Sequence, residues 1–257
     1  IWVYLSVLVT AFGASPIFQA SSPEIEKRAS KAWSSAIDCT GWEPITHDVV
    51  LIRQGNVEGV FDSASAFKDD KLLRIDLGPE NPKRDLLHEL SHAWARKGPA
   101  TLTEGRADWL ADCIATRRPE LGPLDPDPGG HTAPMHDLRK WTNPKYGAAD
   151  DIQRRNAYIA ASRWIRVVGD ILPREQLFPK NGELRWRALI RALEKAGPKG
   201  VIALDVLEGG VERQQDALSD HDYDGIPKLT EILQGTQPDK WDSDGDGWWD
   251  GVNRPEA

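Results

Sequence analysis

Asp85-Leu-Leu-His-Glu-Leu-Ser-His-Ala-Trp94 is the stretch on which the reading of this 257-residue chain turns. His88 and His92 are four residues apart. On an α-helix that spacing stacks two side chains on one face, so both imidazoles can reach one metal ion. Glu89 lies beside them, where a carboxylate can take a proton from a water activated by that ion. Leu86, Leu87, Leu90, Ala93 and Trp94 flank the motif and predict a largely buried helix. Buried imidazoles need partners, so two of them on such a helix point to a metal centre, not to a solvated surface.

The ends of that helix are marked in the chain. Asn81 can cap it, Pro82 suits its first position, and Gly98-Pro99 stops it after Lys97. Zinc needs a third protein ligand, and a histidine six residues after His92 would be one solution, but Gly98 occupies that position. Thr103-Glu104-Gly105-Arg106-Ala107-Asp108 supplies another. A short turn would bring the next helix, expected from about Thr101–Thr103 to Ala115, back against the first with Glu104 toward the ion. Asp108 is one turn further along the same face, placed to accept the outer N–H of a ligand histidine. Glu104 has a rival role, because Thr101-x-x-Glu104 also spells a capping box in which the carboxylate only closes its own helix.

Before the motif the chain reads as one helix, Pro23 to Ile37, and three strand-like runs, Asp48–Arg53, Val57–Phe61 and Leu72–Leu77. After it come a Pro- and Gly-rich loop from Arg118 to Tyr146 and helices over Ile152–Val168 and Leu184–Ala196. Strands first and helices afterwards predict an α+β fold: a small N-terminal sheet, a motif helix, a helical C-terminal half and a short loop-built tail. The expected divisions are a leader at 1–22, a main domain at 23–208, a linker at 209–219 and a tail at 220–257.

Composition narrows the partners. The net charge is −8, and residues 216–257 carry all of it; the first 215 residues hold equal numbers of acidic and basic side chains. Such a distribution argues for a cation-binding tail and against nucleic acid as a partner. Ile1 to Phe12 is almost wholly apolar and is followed by Gly13-Ala14-Ser15, the pattern of a secretion signal without its first residues, cleaved between Ala11 and Ser22. That run is too short for a confident membrane span, so no integral span is expected after cleavage. An exported protein would be secreted, periplasmic or at the cell surface. There Cys39 and Cys113 have two readings, one disulfide or two buried thiols.

The tail has its own motif. Asp220-His-Asp222-Tyr-Asp224-Gly225-Ile226-Pro-Lys-Leu-Thr-Glu231 places oxygens at the positions of a Ca2+ loop: the carboxylates of Asp220, Asp222, Asp224 and Glu231, the carbonyl of Ile226, and Gly225 at the sharp turn. A second start, Asp242-Ser-Asp244-Gly-Asp246-Gly247-Trp-Trp-Asp250, follows 22 residues later, but Asn253 stands at its twelfth position, so a weaker site is expected there. The pair resembles bacterial thrombospondin type 3 repeats.

His88-Glu-Leu-Ser-His92 followed by Leu102-Thr-Glu-Gly-Arg-Ala-Asp-Trp109 resembles the gluzincin metallopeptidases, especially the peptidase-MA-like group. The same pairing is similar to that of the plant and bacterial basic secretory proteins. Pro134-Met-His-Asp-Leu138 and the run Ala157-Tyr158 to Gly169 look like that group's later loop and Tyr-bearing helix, and the likeness covers residues 45–196. The resemblance implies a zincin-like domain in which His88, His92 and Glu104 hold Zn2+ and Glu89 is the general base for peptide-bond hydrolysis. The developing oxyanion needs a second electrophile, for which Tyr158, His136 and His131 are candidates in that order. Arg106 replaces the small or apolar residue common in the group; a salt bridge near the site or recognition of a substrate carboxylate are its two readings. The expected partner is a peptide or protein substrate, with a cell-surface partner reached through the tail. A zincin-like binding or adhesion module of little activity is the alternative.

Overall fold

The computed structural model describes residues 16–44, 49–54, 64–68, 72–77, 83–95, 97–122, 137–141, 151–246 and Asp250, with backbone alone for 64–68, Arg84 and 151–155. The fold is α+β and mostly helical. A strand β1 (Ile17–Ala20) leads into helix α1 (Pro23–Thr40), then strands β2 (Val49–Gln54), β3 (Ala64–Lys68) and β4 (Leu72–Leu77). The sheet order is β1-β2-β4-β3, with β1, β2 and β4 parallel and β3 antiparallel on the edge. Parallel neighbours need a crossover, and α1 provides it between β1 and β2. Ser22 accepts from the Ile25 N–H, Pro23 opens the helix, and Gly41 at φ 80° closes it in the left-handed conformation glycine favours.

Helices follow in sequence: α2 (Lys83–Ser91), α3 (Ala100–Arg117), α4 (Asp151–Ile171), a single turn α5 (Arg174–Leu177), α6 (Trp186–Lys195), α7 (Pro198–Glu208), α8 (Gly210–Ala217) and α9 (Lys228–Gln234). The core sits where α1 and α2 meet the sheet, with α3 packed against both helices, and it includes Val50, Ile52, Leu73, Ile75, Leu86, Leu87 and Leu90, all essentially solvent-free. Trp33 and Trp94 pack with ring centroids 4.6 Å apart, and the Trp94 indole N–H donates to the Trp42 carbonyl at 2.9 Å. Asp76, buried on β4, accepts a bidentate bond from its cross-strand neighbour Arg53 on β2 at 2.7 and 2.9 Å.

Cys39 near the end of α1 is joined to Cys113 on α3, which settles between the two readings of the cysteines in favour of the disulfide. Closing a loop of 74 residues removes enough unfolded-state entropy to stabilise by about 4 kcal/mol. Helices α3 and α4 approach closely because Gly105 has no side chain: a Cβ there would lie 2.6 Å from the Ala161 carbonyl oxygen and from Ile165 Cγ1.

Three expectations shift. The motif helix ends at Ser91, six residues short of Lys97, and the next turn tightens into i→i−3 bonds, from the N–H groups of His92, Ala93 and Trp94 to the carbonyls of Glu89, Leu90 and Ser91. The chain turns early because Lys97 pairs with the 182–184 segment, donating to Gly182 O and accepting from Leu184 N. Gly98 (φ 147°) makes that pairing feasible, since a Cβ there would stand 2.5 Å from Leu184 O. The stretch 209–219, read as a linker, is largely helix α8; its Gln214 is wholly buried, accepts from Leu138 N at 2.9 Å and donates to Leu207 O at 2.8 Å. A polar run reads as solvated, but here one glutamine satisfies backbone groups of two other segments. Finally, Ile17–Ala20, within the expected leader, is a strand of the sheet. The expected strand Val57–Phe61 and the helix start at Asn81-Pro82 lie outside the described residues. Among the described residues no helix is long and apolar enough to cross a membrane.

Candidate metal centre

Helix α2 and the tight turn after it carry His88, Glu89 and His92; α3, packed across them, carries Glu104 and Asp108. Glu104 Oε2 stands 3.3 Å from His88 Nε2 and 3.3 Å from His92 Nε2. The two imidazoles meet edge to face with centroids 5.0 Å apart. The other nitrogen of His88, Nδ1, is 2.7 Å from Asp108 Oδ1.

The two kinds of distance differ in meaning. A charge-assisted N–H···O bond is about 2.7–2.9 Å long, and the Asp108 contact has that length. Two donors each about 2.1 Å from a tetrahedral ion are about 3.4 Å apart, close to the spacing that Glu104 keeps from both histidines. Asp108 as a carboxylate can only accept, so a proton of His88 sits on Nδ1, and Nε2, which faces Glu104, holds either a second proton or a metal ion. Either one places a positive charge between Nε2 and the Glu104 carboxylate. His88, His92 and Glu104 each offer a ligand atom within 4.8 Å of the others, a two-nitrogen, one-oxygen set that suits zinc.

The electrostatics of the metal-free site favour the proton. Burial opposes a charge on His88, but the pull of Asp108 and its hydrogen bonds to Asp108 and Glu104 outweigh this and hold its pKa well above the usual value. Burial likewise opposes charge on Glu104, yet His92 and His88 bring its pKa far below the ordinary carboxylate range. Glu89 is buried beside them, and loss of hydration raises its pKa against the lowering influence of both histidines.

The capping alternative for Glu104 is not realised. Pro99 is the N-cap of α3 and makes no side-chain cap bond, while the Thr101 hydroxyl donates to Leu138 O at 2.5 Å. Tyr158 lies on α4 with its ring edge-on to Trp141, centroids 4.9 Å apart, in contact with the segment that Thr101 holds. His131 and His136 lie outside the described residues.

Arg106 serves neither reading made from its position in the sequence. It is fully buried and points away from the carboxylates of the site: its guanidinium donates to the carbonyls of Leu102 (2.7 Å), Leu177 (3.3 Å), Lys97 (3.4 Å) and Gly182 (3.4 Å). Burial lowers its pKa, and four carbonyl dipoles hold the cation in place. This clamp ties α3 to the segments that carry the turn after His92. Arg106→Met is expected to destabilise the fold by about 3–5 kcal/mol, read by chemical denaturation, because several buried carbonyls lose their donor together. A loss below about 1 kcal/mol would remove the clamp from the account.

In the tail, Asp220, Asp222 and Asp224 converge within 4.8 Å, and Asp242, Asp244 and Asp246 do the same on the exposed second loop. Asp220 accepts from the N–H groups of Tyr223 (2.8 Å) and Gly225 (3.0 Å), and the Ile226 N–H donates to Asp224 at 2.7 Å. Gly225 takes φ 94° at the sharp turn, as a Ca2+ loop requires. Burial and the neighbouring carboxylates push Asp224 up to about 6 and Glu231 to about 7. Asp250, expected with the second loop, groups with Asp224 and Glu231 of the first. The first loop is bolted to the helical body: Arg163 on α4 donates to Leu218 O, and Lys228 N donates to Ser219 O at 2.8 Å.

No protein-family model and no curated protein matches the chain. The functional reading therefore rests on the residues themselves.

Proposed function

We propose that the protein is an exported, zinc-dependent peptidase of gluzincin type with a calcium-binding tail. The observation that carries this reading is the spacing of His88, His92 and Glu104, at the edge length of a tetrahedral zinc site, with Glu89 buried alongside. Zinc held by these three side chains would supply Lewis acidity, polarising a peptide carbonyl and bringing a water toward a pKa of about 7.

The protein's own groups do the rest. Glu89 accepts the proton of the attacking water and delivers it to the departing amine; its raised pKa suits a group that must both take and return a proton. Asp108 fixes the tautomer of His88 and the direction of its Nε2. Tyr158 is the candidate to donate to the developing oxyanion, its ring oriented by Trp141. Ca2+ in the tail loops would neutralise the acidic cluster next to α8 and so brace the body that carries the site. Because β1 belongs to the sheet, removal of a leader is expected before Ile17.

The test is metal analysis of the purified full chain joined to a hydrolysis screen on casein and varied peptides. The expected result is one zinc per chain and hydrolysis abolished by a chelator and restored by Zn2+. A zinc-loaded protein that cleaves none of these substrates would overturn the peptidase reading and leave the binding-module alternative.

A further inference from the structure

Asp250 stands at the ninth position of the second acidic loop, yet its carboxylate lies within 4.8 Å of ligand oxygens of Asp224 and Glu231, which belong to the first. Two oxygens bound to the same Ca2+ at about 2.4 Å can be at most about 5 Å apart, so the three can share one ion. The Glu231 and Asp224 side chains are almost completely buried, and Glu231 Oε2 and Asp224 Oδ2 have no hydrogen-bond partner among the described residues. Buried anionic oxygens left without a donor are costly unless a cation meets them. The donor set is all oxygen and contains no imidazole or thiolate, which selects a hard cation. Six to eight oxygens in flexible geometry suit Ca2+ better than the small octahedral shell of Mg2+.

We propose that Asp250 is a ligand of the cation held by the first loop, so that one Ca2+ bound by Asp224, Glu231 and Asp250, with Asp220 and Asp222 on its other side, clasps the second loop onto the first. The hydrogen bonds fit this arrangement. Asp250 Oδ2 accepts from Ser243 N at 3.0 Å, and Asp250 N donates to Trp241 O at 2.9 Å, so the residue that reaches the first loop also closes the second. The first loop has Lys228 at its own ninth position, and that ammonium is engaged by Asp216 at 2.8 and 2.9 Å, so the loop takes its missing acid from the following repeat. The tail is then a closed clasp and not two independent loops, and the contact between the loops depends on that one ion. The inference rests on the reading of the first loop as a Ca2+ site and is independent of the zinc reading.

Calcium titration calorimetry on the full chain, with Ca2+ as the only ligand, tests it. Asp250→Asn keeps an oxygen for Ser243 N but removes the charge, and it is expected to weaken by tenfold or more the same site that Glu231→Gln weakens. Asp239→Asn, an exposed acid outside the three clusters, and Asp244→Asn, in the second loop, are expected to change that site by less than threefold. If Asp250→Asn behaves like Asp239→Asn, or weakens only the site lost in Asp244→Asn, the clasp is wrong. Absence of any binding heat at millimolar Ca2+ would overturn it together with the first-loop reading, while hydrolysis and zinc content would remain as separate measurements.

Discussion

Glu89→Gln is expected to lower kcat/KM for peptide hydrolysis by about a thousandfold while leaving zinc content at one per chain. General base catalysis by a positioned side chain is worth about 10²–10⁴ in rate, and glutamine keeps the shape of the side chain while losing its ability to take a proton. Glu89 is buried next to His88 and His92, but its carboxylate is not one of the three groups whose ligand atoms converge, so zinc affinity has little reason to change. The pairing of readouts matters. An inactive variant that had also lost zinc would assign Glu89 to the metal centre itself, and a fully active variant would remove it from the chemistry. Circular dichroism of the variant checks that the helix around it still forms.

Glu104→Ala is expected to lose stoichiometric zinc, its affinity falling by well over a hundredfold. The comparison that gives the scale is Asp108→Ala: removing a partner that only orients a ligand typically costs 10–100-fold in metal affinity, and removing a ligand costs more. Both losses are measured by competition with a chromophoric chelator at fixed pH. The pH must be fixed because the proton and the metal compete for the same nitrogen. With the folded pKa of His88 raised by Asp108 and Glu104, the stability drawn from its protonated form is fully present below about 6.5 and is lost as pH rises through the folded value. Zinc takes over from that proton, so apparent affinity for zinc should rise with pH across the same window and fall on acidification. Unchanged zinc affinity in Glu104→Ala would make the 3.3 Å contacts of Glu104 with the two histidines simple ion pairs and dismantle the proposed centre.

The site was largely legible from spacing. An i, i+4 pair of histidines is a local property of one helix, and Glu104 and Asp108, one turn apart, share a face of the next. What spacing could not supply was whether Glu104 closes a capping box with Thr101, since a cap and a candidate ligand use the same letters. That choice turned on long-range contacts: the Thr101 hydroxyl bonds Leu138 O, 37 residues away, leaving Pro99 as the cap of α3. Arg106 shows the same limit. An arginine beside a candidate metal ligand reads as an electrostatic or substrate-binding group, but three of the four carbonyls that hold it belong to Lys97, Leu177 and Gly182, outside its own helix. Only Leu102 O, one turn back, is local.

The sequence by itself determined the α+β character, the i, i+4 histidine pair with Glu89 beside it and the acidic loops, because each depends on residues within one turn or one loop, where covalent geometry dictates which side chains meet. The tertiary structure alone decided the disulfide between Cys39 and Cys113, the burial of Gln214 in what reads as a linker, the clamp around Arg106, the early end of the motif helix at Ser91 and the reach of Asp250 into the first loop. Each of these is a contact between segments far apart in the chain. Its existence depends on how the helices pack, and packing is a property of the whole assembly of side chains that no single window of sequence contains.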